Sequence, residues 1–212
     1  MRVFGLTGGI GSGKSAVAAH LRARGVPVVN ADELSRAVVL PGSEALGKIE
    51  AYFGSEILDS SGALDRARLG AIVFADPEAR RALDGIVHPA VRALAGERFA
   101  ELAARGEPLA AYEVPLLYEV HLEGVYTPVV VVNATDATRL ARLKTRDGFD
   151  EAQILARFAA QMPLAEKVKR ADYVIENDDS LSELLARTDA VLDALCHALA
   201  LDPNRYPKPQ LS

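Results

Sequence analysis

The sequence predicts an α/β fold in three layers, a parallel five-stranded sheet covered by helices on both faces. Three observations carry this. Short apolar runs alternate along the chain with amphipathic segments of helical period. One of the runs, Val129-Val130-Val131-Val132, is continuous and β-branched, as strands buried on both faces are. A glycine-rich octapeptide, Gly8-Gly9-Ile10-Gly11-Ser12-Gly13-Lys14-Ser15, joins the first run to the first helical segment.

In chain order, Val3 to Leu6 reads as a strand stopped by glycines, Ala16 to Arg24 as a helix ended by Gly25, and Val26 to Val29 as a second strand. Short helical segments are then expected at Ala31 to Leu40, Ser43 to Tyr52, Arg66 to Phe74 and Pro77 to Leu83. Breaks fall at Pro41-Gly42, Gly54 and Ser60-Ser61-Gly62, and a longer helix covers Val87 to Arg105. Strand character returns at Pro108 to Tyr112, where it ends in Glu113, and at Val129 to Val132. Thr135 or Asp136 caps a helix through Thr145, and Glu151 to Ala160 forms another. Tyr173 to Ile175 is the last strand, Leu181 to Ala200 the closing helix, and the proline-containing stretch Asp202 to Ser212 a loosely packed end.

Bulk properties bound the function. A chain of 212 residues supports one core with insertions. A net charge of -5 offers no broad basic field for nucleic acid or anionic membrane, so anionic substrates must be held by local basic groups. The lone cysteine, Cys196, forms no intrachain disulfide, reads as the buried side of a helix and suits a reducing compartment. The apolar run at Val3 to Leu6 is too short for a signal-peptide core or a span, and a cytoplasmic location is expected.

Gly-x-x-x-x-Gly-Lys-Ser between strand and helix is a phosphate cradle. Its glycines let backbone N–H groups converge on phosphate oxygens, the helix aims its positive end there, and Lys14 neutralises the outer phosphates. Gly11, Ser12, Gly13, Lys14, Ser15 and Ala16 are the expected ATP-binding set, with the Ser15 hydroxyl on Mg²⁺. A GTPase base-reading Asn-Lys-x-Asp is missing after the Val129 run, where Asn133-Ala134-Thr135-Asp136 stands. Glu113 is a single acid before a proline, without the second, water-orienting acid of a motor ATPase. It either holds Mg²⁺ through water or is a solvated strand-end charge.

Asp32 follows the second strand at the carboxyl edge of the sheet, where such sheets bind ligands. It either accepts the proton of an attacking hydroxyl or caps the next helix. Arg139, Arg142 and Arg146 stand at i, i+3 and i+7, along one helix face. Arg142 and Arg146 are candidates for the transferring phosphoryl group, and Arg139 reads as part of a solvated face. Arg157 and Gln161 repeat an i, i+4 pairing on the next helix. Glu119 reads as a loop charge, and His88 as a substrate contact or a structural residue at a helix start. Lys167, Lys169 and Arg170 read as a solvated basic turn before the Ala171 to Asn177 strand, at whose exit Asn177 could read an adenine edge.

Together the motifs resemble the dephospho-CoA kinase family over nearly the whole chain. The matching stretches are Leu6 to Ser15, Ala31-Asp32, Ile72 to Pro77, His88-Pro89, Glu113 to Glu119, Arg142 to Asp147, Gln161-Met162-Pro163 and Ala171 to Asn177. The resemblance implies a P-loop nucleotide kinase fold and transfer of the ATP γ-phosphoryl group to the ribose 3′-hydroxyl of dephospho-CoA. It also implies one kinase domain over 1-212, with core segments 1-30, 106-135 and 171-200, a helical acceptor-binding region 31-105 and a helical lid 136-170. Three departures are visible: Asn30 where the family commonly has Asp, Ala16 where Thr often stands, and Arg139 where Gln is usual. Rival readings are a kinase of the same fold for another small alcohol or a nucleoside monophosphate, and a regulatory P-loop switch. Oligomeric state stays open.

Overall fold

The computed structural model describes residues 1–208, and the last four residues of the expected loose end lie outside them. Five parallel strands form one sheet in the order β2-β3-β1-β4-β5: β1 (Arg2–Gly8), β2 (Val28–Asn30), β3 (Leu109–Glu113), β4 (Val129–Asn133) and β5 (Tyr173–Glu176). β1 is flanked by β3, with Leu6 beside Glu113, and by β4, with Gly8 beside Val132. This register brings the end of β1 and Glu113 to the same edge of the sheet.

The core shows why these runs became strands. Phe4, Leu6, Leu109, Ala111, Val130, Val132 and Ile175 bury one face against α1 (Lys14–Ala23) and α9 (Leu181–Ala198) through Val17, Leu21, Leu192, Leu195 and Cys196. Burying such side chains contributes about 1.5–3 kcal/mol each before the entropy of ordering is subtracted.

The described chain forms two compact units, residues 1–29 with 102 onward, and Asn30–Glu101. The second unit holds α2 (Ala31–Ala37), α3 (Glu44–Phe53), one 3₁₀ turn (Ser55–Ile57), α4 (Arg66–Ala75) and most of α5 (Pro77–Ala104). Its own small core is built on Val39, Ile49, Ile57 and Leu69. Ser43 and Asp65 cap α3 and α4 through their side chains.

Several expectations are corrected. α5 is one continuous helix through Pro89, where the sequence suggested two. The missing N–H of Pro89 costs the single bond to the Gly85 carbonyl, and Leu83, Ile86 and Val87, in the stretch just before it, pack against the second unit's core. α2 stops at Ala37, three residues before the expected end, and β2 begins only at Val28. The capping alternatives for α6 (Asp136–Asp147) resolve in favour of Thr135, whose side chain accepts from Thr138 N–H.

Beyond α7 (Glu151–Ala159) lies a short helix the sequence did not announce, α8 (Leu164–Lys169), with Leu164 and Lys167 buried one turn apart on a single face. The end of the described chain is packed, not loose. Tyr206 is buried, and its carbonyl accepts a 2.7 Å hydrogen bond from Arg24 Nε.

Candidate active site

The glycine-rich loop leaves β1 and enters α1 through Gly13, whose φ of 94° is a left-handed conformation that glycine adopts without steric cost. A Cβ there would also fall 2.0 Å from Asn177 Nδ2, so the position has no room for a side chain. No side chain caps α1, which leaves its first N–H groups and the positive end of its dipole for an anion.

The loop carbonyls are engaged. Gly9 O accepts from Ser12 N–H at 3.1 Å, and Gly13 O from Ala16 and Val17 N–H at 3.0 and 3.3 Å. Ser12 O accepts from Asn177 Nδ2 at 2.7 Å, and Ile10 O from Arg139 Nε at 2.9 Å. Because a trans peptide is planar, its N–H points away from its C=O, so Asn177 on the Ser12 carbonyl turns the Gly13 N–H to the opposite side.

Lys14 Nζ lies 3.0 Å from Glu113 Oε1, and that carboxylate is 3 % exposed. A carboxylate this deep is not a solvated strand end: burial of a charge is tolerated only with a partner, and Lys14 is one. Ser15 is exposed in the first turn of α1, and Ala16 packs beside the main core. Buried polar atoms without a partner among the described residues include Ser12 Oγ and Arg142 Nη1. Both are donors beside the loop.

Asn177 at the end of β5 does two things at once, since its Oδ1 also accepts from Arg142 Nη2 at 3.2 Å. Arg146 lies elsewhere: its side chain is 64 % exposed and pairs with Asp147 through two 2.8 Å bonds. Arg139 corrects the solvated-face reading. It is buried, stacks 3.8 Å above the Phe158 ring and reaches Ile10, so the three arginines do not act as one stripe. Arg157 sits over Phe149 at 4.0 Å, while Gln161 lies past the end of α7 and accepts from Ile10 N–H, so these two share no helix face either.

Glu119 and Lys167 are also corrected. Lys167 has no exposed side-chain surface. Its Nζ donates to Pro115 O and to Glu119, which accepts in turn from Met162 N–H at 2.8 Å. Burial pulls the Lys167 ammonium below its ordinary range, against the opposing pull of Glu119. The sequence signal was present, since Leu164 and Lys167 stand three apart, but a lysine-rich stretch reads as solvated until its acid is placed.

In the second unit, Asp32 is exposed in the first turn of α2. It is not the cap. Asn30 fills that role, its Oδ1 accepting from Asp32 N–H at 2.8 Å and Glu33 N–H at 3.1 Å. The Asp32 carboxylate is therefore not spent on the helix end. His88 is mid-helix in α5 rather than at a helix start, half-exposed, with Asp84 Oδ1 at 3.7 Å.

A parallel sheet with the phosphate loop leaving its central strand, a lysine on that loop and a buried acid at the neighbouring strand end define a P-loop phosphotransferase. The family model described as dephospho-CoA kinase matches residues 2–183. The chain belongs to the dephospho-CoA kinase family and is a kinase.

It is 55% identical over 192 residues to a dephospho-CoA kinase of Anaeromyxobacter dehalogenans, covering 91% of each chain. It is 48% identical to one of Syntrophotalea carbinolica, covering 92% of each. Among solved structures, one from Thermus thermophilus superposes with a TM-score of 0.80 at 41% identity, covering 92% of this chain and 97% of that one. The dephospho-CoA kinase from Campylobacter jejuni does so with 0.71 at 26% identity, covering 93% and 99%. No described helix is long and apolar enough to cross a membrane.

Proposed function

We propose that this kinase transfers the γ-phosphoryl group of ATP to the 3′-hydroxyl of dephospho-CoA, giving coenzyme A and ADP, the last step of coenzyme A synthesis. The observation that carries the reading is the Lys14–Glu113 pair at the mouth of a loop whose carbonyls are tied back, in a chain of this family.

The chain's own residues divide the work. Gly11 to Ala16 and Lys14 Nζ hold the phosphates. Asn177 and Arg142 act on the loop and its anion, the first through the Ser12 carbonyl, the second with its unpartnered Nη1. Asp32 orients the acceptor hydroxyl and takes its proton; its exposure and its freedom from capping support this role. The helical region 31–105, most of which forms the compact unit Asn30–Glu101, is the acceptor-binding region. Residues 136–170 form the lid, on which Arg146 would meet the transferring group.

A magnesium ion fits the donors present. The Ser15 hydroxyl and the Glu113 carboxylate are hard oxygen ligands, few enough to leave water on a Mg²⁺ bound chiefly to ATP. Bound there, the ion would neutralise charge on the outer phosphates. The small-molecule partners of this reading are ATP and dephospho-CoA, with no nucleic acid or membrane, and its setting is the cytoplasm. Release of ADP that requires dephospho-CoA tests the reading, and an acceptor panel of other small alcohols and nucleoside monophosphates separates it from its nearest rival.

A further inference from the structure

Ile10, at the tip of the phosphate loop, has both of its backbone polar groups held by side chains from beyond β4. Its N–H donates to Gln161 Oε1 at 3.1 Å, and its carbonyl accepts from Arg139 Nε at 2.9 Å. We propose that Arg139 and Gln161 are positioning residues for phosphoryl transfer, fixing from the α6–α8 segment the direction in which the loop presents its N–H groups to the ATP phosphates.

Peptide planarity is the mechanism. The plane between Ile10 and Gly11 carries the Ile10 carbonyl and the Gly11 N–H on opposite sides. Arg139 takes the carbonyl, so the Gly11 N–H is turned away from α6. The plane between Gly9 and Ile10 is fixed in the same way, by Ser12 N–H on the Gly9 carbonyl and Gln161 on the Ile10 N–H. Asn177 already fixes the plane before Gly13. Three of the loop's peptide planes are thus set before nucleotide arrives, which is what a preorganised anion site requires.

The two side chains are themselves held firmly. The Arg139 guanidinium is sandwiched between the Phe158 ring at 3.8 Å and the loop, with Nη1 on Asp136 at 2.8 Å. A Cβ on Gly9 would come within 2.7 Å of Arg139 Nη2, so the guanidinium lies on the loop backbone itself. Gln161 is followed by Met162, whose N–H is bound to Glu119, and Glu119 is bound to buried Lys167. A shift of the α6–α8 segment would therefore be felt at Ile10.

The inference rests on the kinase reading, and its test separates the two. In glutamine the amide nitrogen lies as many bonds from Cα as Nε does in arginine, so Arg139→Gln keeps a donor at equal reach, while Arg139→Met removes it. Gln161→Glu keeps the acceptor for Ile10 N–H, and Gln161→Leu removes it. KM for ATP, KM for dephospho-CoA and kcat are measured for all four. Arg139→Met and Gln161→Leu should each raise KM for ATP on the order of tenfold, with KM for dephospho-CoA within about twofold of the parent, and the conservative pair should recover most of the loss.

The inference is overturned if the Met and Leu variants keep the parent's ATP parameters, if both substrates' KM values shift alike, or if the conservative variants are equally impaired. Where a variant does not fold, the unaltered protein decides: without ATP the Ile10 amide should be protected from hydrogen exchange by about 10²-fold or more, and rapid exchange there counts against the inference. A parent that releases no acceptor-dependent ADP sinks the kinase reading instead.

Discussion

Lys14 Nζ and Glu113 Oε1 are 3.0 Å apart, with the carboxylate buried at the end of β3 and the lysine on the phosphate loop. The pair keeps the ammonium at the sheet edge, where the register of β1 and β3 delivers it. Glu113→Gln removes the charge and keeps the shape. We expect kcat/KM for ATP to fall on the order of 10²-fold, with the magnesium concentration for half-maximal rate rising, since both the lysine and the ion lose their anionic partner. Initial rates over a magnesium titration check this; unchanged values would remove Glu113 from the site.

Asn177→Ala strips Ser12 of its carbonyl partner and Arg142 of an acceptor together. Leaving such buried groups unpaired costs about 1–3 kcal/mol, to be read as a lower urea midpoint. KM for ATP should rise about tenfold, because the Gly13 N–H is no longer aimed. Asn177→Asp, which keeps an acceptor for Arg142 but no donor for Ser12, should show the same rise in KM with less loss of stability.

Much of this is legible in the sequence. The alternation of apolar runs with helical segments, the phosphate loop and the strand-end position of Glu113 all rest on patterns whose physics is local or set by one neighbour. What was not legible depends on partners distant in sequence. Lys167 reads as solvated because it stands in a charged run with Glu166, Lys169 and Arg170, and Glu119, 48 residues away, is what lets it be buried. Arg139 was assigned to a helix face by its spacing, yet Ile10, 129 positions earlier, decides where it points. Tyr206 is packed because Arg24, on the far side of the sequence, takes its carbonyl. Two helices, Pro77 to Leu83 and Val87 to Arg105, were expected where α5 runs unbroken, because the packing of Leu83, Ile86 and Val87 on a core distant in sequence is not visible in local spacing.

Arg24 organises a second buried cluster, donating to Asp189 at 2.5 Å and Asp193 at 3.2 Å, with His20 Nε2 2.7 Å from Asp189. Burial alone would raise the Asp189 carboxyl, but hydrogen bonds from His20 and Arg24 and the Arg24 charge outweigh it and hold it below its ordinary value of 3.8. A carboxyl lowered in the folded state adds stability above its unfolded value and loses it as pH falls through the folded one. Stability measured by urea at stepped pH should therefore fall more steeply below about pH 4 in the parent than in Asp189→Asn. Parallel curves would contradict the cluster's role.

Lys167→Met leaves Glu119 without its cation and takes one of two side-chain donors from the Pro115 carbonyl, the Thr7 hydroxyl at 3.1 Å remaining. Breaking a buried pair from one side costs about 3 kcal/mol or more, whereas removing both charges restores part of it. We expect Lys167→Met to lower the urea midpoint strongly and Lys167→Met with Glu119→Gln to lower it less than the sum of the single changes. Additive losses would show that the two side chains do not act as a pair.

The central claim is that one chain couples the phosphate loop to a single acceptor carboxylate. The most direct measurement is ADP release from MgATP with and without dephospho-CoA, run on the parent and on Asp32→Asn. The account predicts ADP only with dephospho-CoA, one coenzyme A formed per ADP, and a loss on the order of 10²-fold or more in kcat for Asp32→Asn with ATP binding retained. ADP released at the same rate without the acceptor, or an Asp32→Asn enzyme as fast as the parent, would contradict it.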